Sequence, residues 1–400
     1  MNELTNKETP QARPKVAFVT NMLPPYRVSM YNAVSKITSF TVILDKMSEF
    51  NRSWKVSPED IHFPYILQNC FSFIYQRKRE DVQYSEKRQF HFSQRTIPLL
   101  HEIKPDVVVT IEYGLKSLWC ILYGIIFDVP VILVSEGTKH TEGYVGRFKR
   151  FLRKIIVTQC ERFWSNGPES TELLIEYGAS PSRVDEGMTG IDTIAWRQQV
   201  GKQMENRDAT RQKWKMKGKV LLFSGSLSAR KGVIPLAKAF ERWLEANPTA
   251  DVTLLLLGDG ENRAWLEEWS QRCPGANLIM PGFIQREELP AFFAAADWAV
   301  LPTIDDNWPL ATLETTVAGL PQLFSCYNGA TSDLMKDGTG VMIDPLDQES
   351  FVRGLDHFYF SEQGRVSENM IDELSRYYSA TMQAQRAMRS FRLATGQIDA

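Results

Sequence analysis

A chain of 400 residues, 43% hydrophobic and 24% charged, carries enough apolar material for two cores, so two domains of ordinary size are expected. The formal net charge of −2 excludes the global basic field of a nucleic-acid binder. Cys70, Cys120, Cys160, Cys273 and Cys326 are scattered, odd in number and without CxxC spacing. That excludes a zinc or disulfide framework and predicts buried, reduced thiols of a cytoplasmic protein.

The polar stretch Met1–Lys15 lacks the apolar segment of a secretory signal. Lys15–Thr20 (KVAFVT) then reads as a strand ending in an Asn-Met-Leu-Pro-Pro loop, and Val28–Ile37 has helical spacing. Phe40–Leu44, Val107–Ile111 and Val131–Ser135 are short β-branched runs separated by helical stretches. Strands alternating with helices predict a parallel sheet covered on both faces. Between Met47 and Arg95, aromatics and charges mix without assignable elements. The long apolar stretch Leu115–Ser135 is interrupted by Lys116, Gly124, Asp128 and Pro130, so it reads as a buried helix and a buried strand rather than a membrane span. Trp196–Gly218 is polar, charged and free of strand signals, as a connection would be. A second alternating series follows. Its strands are Val220–Phe223, Val252–Leu257, Leu278–Met280, Trp298–Leu301 and Gln322–Phe324, and its helices include Gly232–Ala246 and Glu261–Arg272. The expected fold is α/β, with two doubly wound Rossmann-like domains facing across a cleft. Ligands in such sheets bind at the carboxyl ends of the strands.

Three segments carry chemistry. In FSGSLSARKG, Phe223–Gly232, a strand ends at Gly225 and a helix starts near Gly232. Small residues allow close backbone approach, the helix N-terminus offers N–H groups, and Arg230 and Lys231 add two cations; together these suit a diphosphate. A solvated basic pair on a turn is the competing reading, at even odds. Gly258-Asp259-Gly260 reads as a strand-end turn and lacks the third glycine of a dinucleotide site, which disfavours an oxidoreductase. In Leu301–Pro321, a loop with Asp305 and Asp306 precedes a helix opened by Pro309 and carrying Glu314. One carboxylate there could meet sugar hydroxyls and the other a ribose. Taken alone, an N-capping Asp306 with a solvent-facing Glu314 is the stronger reading.

The order GS-x(4)-KG, LGDG, PGF, D-x(7)-E and AGLP resembles that of family 4 (group 1) retaining glycosyltransferases of the GT-B fold. NMLPPYRVSMYNAVSKI is similar to their first loop and helix in the branch that makes surface polysaccharides, and SNGPESTELLIEYGASPSRV to the segment before their interdomain linker. The resemblance runs from Lys15 to Phe391. It implies an acceptor-side domain at 1–195, a linker at 196–218, a nucleotide-sugar domain at 219–378, and a C-terminal helix at 379–400 returning to the first domain. By the same resemblance, Arg230 and Lys231 bind the donor diphosphate, with Gly225 and Gly258 allowing close approach. The backbone at Phe283 and Ile284 meets the base, Glu314 binds the ribose, and Asp306 lies near the transferred sugar. The amides of Asn307, Trp308 and Leu310 cradle phosphate and sugar. Pro25, Tyr26 and Arg27 fall on the acceptor side. The catalytic set is Asp306, Glu136, Arg230 and Lys231. No metal and no cofactor beyond the nucleotide-sugar co-substrate are implied.

The sequence departs from the pattern in four places. Asp306 stands for a glutamate, Pro309 for a glycine that has an N–H, and Ser226 for an arginine. Ser135-Glu136-Gly137-Thr138 stands where a histidine is frequent. Either Glu136 takes that role with help from His140, or the loop has no catalytic duty. The implied activity is a hexosyl transfer, with retention, from a nucleotide-diphosphate sugar to a glycan or polyprenyl-diphosphate-linked acceptor in cell-surface polysaccharide biosynthesis. The departures also motivate a catalytically silent nucleotide-sugar-binding or partner-binding protein; a GT-B epimerase is disfavoured by the D-x(7)-E…AGLP block. Gly146–Ile156 sets Arg147, Lys149, Arg150, Arg153 and Lys154 among Phe148, Phe151, Leu152, Ile155 and Ile156. Such a helix suits anionic lipid at the cytoplasmic face of an inner membrane, and equally an ordinary surface helix packed on its sheet.

Overall fold

The computed structural model describes residues 13–49, 56–79, 84–273 and 275–398. The N-terminal sheet is built from β1 (Lys15–Thr20), β2 (Ser39–Leu44) and β3 (Tyr65–Leu67). A separate hairpin of β4 (Cys70–Arg79) and β5 (Tyr84–Ser93) follows, and then β6 (Val107–Ile111), β7 (Val131–Ser135), β8 (Arg162–Ser165) and β9 (Val184–Asp185) complete the sheet. The C-terminal sheet has β10 (Lys219–Ser224), β11 (Val252–Leu257), β12 (Asn277–Gly282), β13 (Trp298–Leu301), β14 (Gln322–Ser325) and β15 (Gly340–Ile343). The orders are β3-β2-β1-β6-β7-β8-β9 and β12-β11-β10-β13-β14-β15, with every described pair in both sheets parallel.

The alternation along each strand explains the layers. Leu221 and Phe223 pack with Phe240 and Trp243 on one face of the C-terminal sheet, while Val220 and Leu222 pack with Phe293 and Leu313 on the other. In the N-terminal sheet, Val16 and Phe18 face Tyr31 and Trp164, and Ala17 and Val19 face Leu100 and Cys120. Sheets buried on both faces need such continuous apolar runs. The strand order reverses between β1 and β6 and between β10 and β13, so crevices open outside the carboxyl ends of those pairs.

The polar segment after Asp192 is helical. Trp196 in Thr193–Gln203 donates its indole N–H to the Glu314 carbonyl at 2.8 Å, and in Arg207–Lys213 both Arg207 and Arg211 bond Asp297 (2.6 Å for Arg211). The last helix, Ala380–Ala394, packs Ala384, Ala387 and Phe391 into the N-terminal core, and Ser390 accepts the Trp164 indole N–H at 2.9 Å.

Two expectations change. The stretch left unassigned holds a ten-residue-per-strand hairpin, whose residues from Phe71 to Arg79 alternate by face; the density of charge there obscured the period of two. The cysteines are all free, but only Cys120, Cys160 and Cys273 are buried, whereas Cys70 is half-buried and Cys326 is exposed. Helix Leu115–Phe127 and β7 do divide the apolar stretch, and no helix among the described residues is long and apolar enough to cross a membrane.

Candidate functional site

On the C-terminal side, β10 and β13 end at the crevice. Gly232 adopts φ 71°, and a Cβ there would come within 1.8 Å of the Pro302 carbonyl oxygen. Glycine thus lets the Arg230–Lys231 turn lie against the loop leaving β13. The Ile304 amide donates to the Arg230 carbonyl at 2.9 Å. The Arg230 guanidinium donates to the Asp305 carbonyl and to Asp306 Oδ2, both at 2.8 Å, and Lys231 Nζ donates to the same Asp306 oxygen at 2.5 Å. Burial opposes ionisation of Asp306, but Lys231 and Arg230 outweigh it and hold the carboxyl down at about 2.

The loop ends of β10, β11 and β12 adjoin this cluster. Gly258 has φ 138°, and a Cβ would stand 1.9 Å from the Gly225 carbonyl oxygen; its amide bonds the Gly282 carbonyl at 2.9 Å. Gly225, Gly258 and the Gly282–Ile284 turn therefore form one rim, with Phe283 exposed and Ile284 packed on the core. Pro309 precedes helix Leu310–Val317, whose N-terminus has no side-chain cap. The side chain of Trp308 points inward: its indole N–H donates to Asp333 Oδ2 at 2.8 Å and its ring lies 5.3 Å from that of Tyr378. Burial pushes Asp333 up to about 6, against hydrogen bonds from Trp308 and Tyr378. The Trp308 side chain is thus turned away from the crevice. Burial also raises the Glu314 carboxyl, with the Arg286 charge opposing.

Across the cleft, Arg27, in the first turn of helix Pro25–Ile37, is buried and bonds Glu136, which follows β7. Tyr26 packs against the C-terminal core. His140 does not pair with Glu136. Its Nε2 donates to the Ile304 carbonyl at 2.9 Å, and its ring lies 4.9 Å from Tyr327. The sequence reading missed Glu112, at the end of β6 with φ 62°. Its Oε1 accepts the Glu136 amide at 3.2 Å. Burial and the charges of Glu136 and Glu142 push this carboxyl up to about 8, with Arg153 opposing. The signal was present: β6 and β7 both run into a glutamate near a glycine (TIEYG and VSEG), and Ile111 pairs with Val134. Among the described residues, no group of three or more His, Cys, Asp or Glu side chains is placed to hold a metal ion.

Residues 205–373 match the family described as glycosyl transferases group 1. An uncharacterized glycosyltransferase of Methanocaldococcus jannaschii is 24% identical over 192 residues, covering 48% of this chain and 45% of its own. The UDP-Gal:alpha-D-GlcNAc-diphosphoundecaprenol alpha-1,3-galactosyltransferase of Escherichia coli is 29% identical over 138 residues, covering 34% of this chain and 35% of its own. The chain thus matches half or less of the length of these curated relatives. Anabaena HepE, solved with UDP and glucose, superposes with a TM-score of 0.67 at 14% identity, over 94% of this chain and 99% of its own. The architecture is therefore GT-B. The likeness to the group 1 glycosyl transferases falls in the C-terminal half of the chain, the half that carries the Arg230–Lys231 turn and the loop of Asp305 and Asp306.

Proposed function

We propose that the protein transfers a hexosyl group from a nucleotide-diphosphate sugar, with retention of configuration and without a metal, to a glycan or polyprenyl-diphosphate-linked acceptor in cell-surface polysaccharide biosynthesis. The observation that carries this reading is the Arg230–Lys231 pair at the strand-order reversal, sharing the single carboxylate of Asp306. Cleavage of the C1–O bond leaves negative charge on the β-phosphate. Two fixed cations beside a glycine-lined strand end stabilise that charge as it grows. In this scheme the diphosphate takes the place of Asp306 on the cations, and the released carboxylate turns to the transferred sugar. Glu314 takes the ribose, and the Gly282–Ile284 turn meets the base. Residues 1–195 supply the acceptor side, with Pro25, Tyr26, Arg27, Glu136 and His140 nearest the cleft; 196–218 link them to the donor domain at 219–378, and 379–400 return to the first domain.

The lipid-linked acceptor of the Escherichia coli relative and the basic helix Arg147–Thr158, with Phe148 and Phe151 exposed, support work at an anionic cytoplasmic membrane face. The test is a thermal-shift panel of nucleotide sugars, beginning with UDP-sugars because HepE was solved with UDP. The expected result is a rise in midpoint with one class of nucleotide sugar, and donor hydrolysis that survives EDTA. No shift with any of them, or strict dependence on added Mn²⁺, overturns the proposal. Co-sedimentation with anionic vesicles at low salt checks the membrane contact.

A further inference from the structure

The hairpin β4–β5 is fixed at both ends, and its two ends lie on different domains. At the root, Ser93 donates to Asp45 Oδ1 at 2.5 Å, and His91 lies 3.0 Å from Glu49 and 2.9 Å from Ser72 Oγ. Asp45 in turn pairs with the buried Lys116. At the tip, Arg79 Nη1 donates to Asp305 Oδ2 at 2.8 Å, and the Tyr84 hydroxyl donates to the same oxygen. Arg79 and Tyr84 sit directly opposite each other in the ladder, so adjacent strands deliver two donors to one carboxylate. Arg77 stands 3.6 Å from it. The guanidinium groups of Arg77 and Arg79 lie 4.4 and 4.6 Å from the Tyr144 ring centroid. The side chains of Arg79 and Asp305 are only 1% and 3% exposed, so this charge pair is shielded from solvent and salt.

Asp305 belongs to the loop of the candidate donor site. Its carbonyl is held by Arg230 from below, and the Ile304 carbonyl by His140 of the N-terminal domain. Asp305 is thus gripped from both domains: its side chain and the carbonyl before it by the N-terminal domain, its own carbonyl by Arg230. We propose that the hairpin is a clasp through which the N-terminal domain sets the conformation of residues 303–309, making Arg79 and Tyr84 positioning residues for Asp306 and the amides after it. This rests on the reading of that loop as the cradle for donor sugar and phosphate. Neither residue touches donor; both act through Asp305. A loop 226 residues away in sequence from Arg79 then depends on a hairpin root in the other domain, because β4 and β5 transmit position as a stiff ribbon. An ångström of misplacement at a reacting centre is enough to cost orders of magnitude in rate.

The test uses the full chain with Arg79→Met, Arg79→Lys and Tyr84→Phe. Hydrogen exchange of the amides at 304–310 is expected to quicken at least tenfold in Arg79→Met and less in Arg79→Lys, with amides at the hairpin root unchanged. Hydrolysis of UDP-glucose, UDP-galactose, UDP-N-acetylglucosamine and GDP-mannose is measured in parallel. For whichever donor the wild type cleaves, kcat should fall at least tenfold while KM moves less than threefold. Wild-type protection at 304–310 in Arg79→Met overturns the clasp, as does a uniform rise in exchange across both domains. If Arg79→Met does not fold, Tyr84→Phe, which removes one hydroxyl, carries the same test. If the wild type cleaves none of the four donors, the donor reading fails while the exchange data still decide the clasp.

Discussion

The two walls of the cleft are built differently. On the C-terminal wall, the charged groups come from two short segments, Ala229–Lys231 and Asp305–Glu314, each following the end of a strand, β10 or β13, by a few residues. On the N-terminal wall, they come from five separate places: Arg27, Glu112, Glu136, Glu142 and Arg153. The first wall pairs two cations with one carboxylate and lowers its pKa. The second gathers three carboxylates around two arginines and leaves one of them, Glu112, raised. A wall that holds cations ready suits an anionic leaving group. A wall that holds a carboxyl neutral suits a hydroxyl-rich partner.

If that contrast is correct, the largest effect belongs to the first wall. Lys231→Ala should lower turnover with the donor by roughly 10²–10³-fold, the range seen when one preorganised partner of a developing oxyanion is removed. Steady-state hydrolysis measures it. Near-normal turnover would take the diphosphate away from this turn.

The same contrast explains what could be read in advance. That Arg230, Lys231 and Asp306 lie near strand-to-helix junctions could be read in advance, because backbone geometry there follows from local sequence; that one carboxylate takes both cations could not. The doubly wound sheets were legible for the same reason, since Val252–Leu257 or Val131–Ser135 announce themselves as buried strands. Glu112 was not, because its role depends on the neighbouring strand β7 bringing Glu136 alongside. The partners of Asp305 were not either: Arg79 is 226 residues away, on a hairpin whose alternation was masked by charge. The contact of His140 with the Ile304 carbonyl could not be read either, since that carbonyl belongs to the other domain.

Asp306 gives the next largest effect and tests the first wall from the opposite side. Its folded pKa is depressed, so its contribution is complete above the ordinary 3.8 and disappears as pH falls through about 2. The unfolding free energy from urea denaturation should therefore fall by roughly 2 kcal/mol between pH 4 and pH 2, and Asp306→Asn should be flatter across that window. The variant should also bind a nucleoside diphosphate more tightly while turning over more slowly, because the cations lose an internal competitor and the sugar loses a contact. Weaker nucleotide binding in Asp306→Asn would mean that the carboxylate helps to orient the cations instead of competing for them.

The smallest effect, and the one that isolates the second wall, comes from Glu112. Its carboxyl is raised in the folded chain, so the unfolded chain gives up its proton first. Between the ordinary 4.5 and about 8 the folded state binds more protons, and stability falls as pH rises. Above that window the loss is complete, and below it the acid costs nothing. Glu112→Gln keeps the shape and cannot ionise, so it should remove this slope and leave the protein more stable than wild type at pH 8. Chemical denaturation at pH 5, 6.5 and 8 measures the difference. Parallel curves for wild type and variant would place Glu112 in the usual carboxylate range and remove the contrast between the walls, whereas a slope that vanishes only when Glu136→Gln is added would show that the proton belongs to the pair.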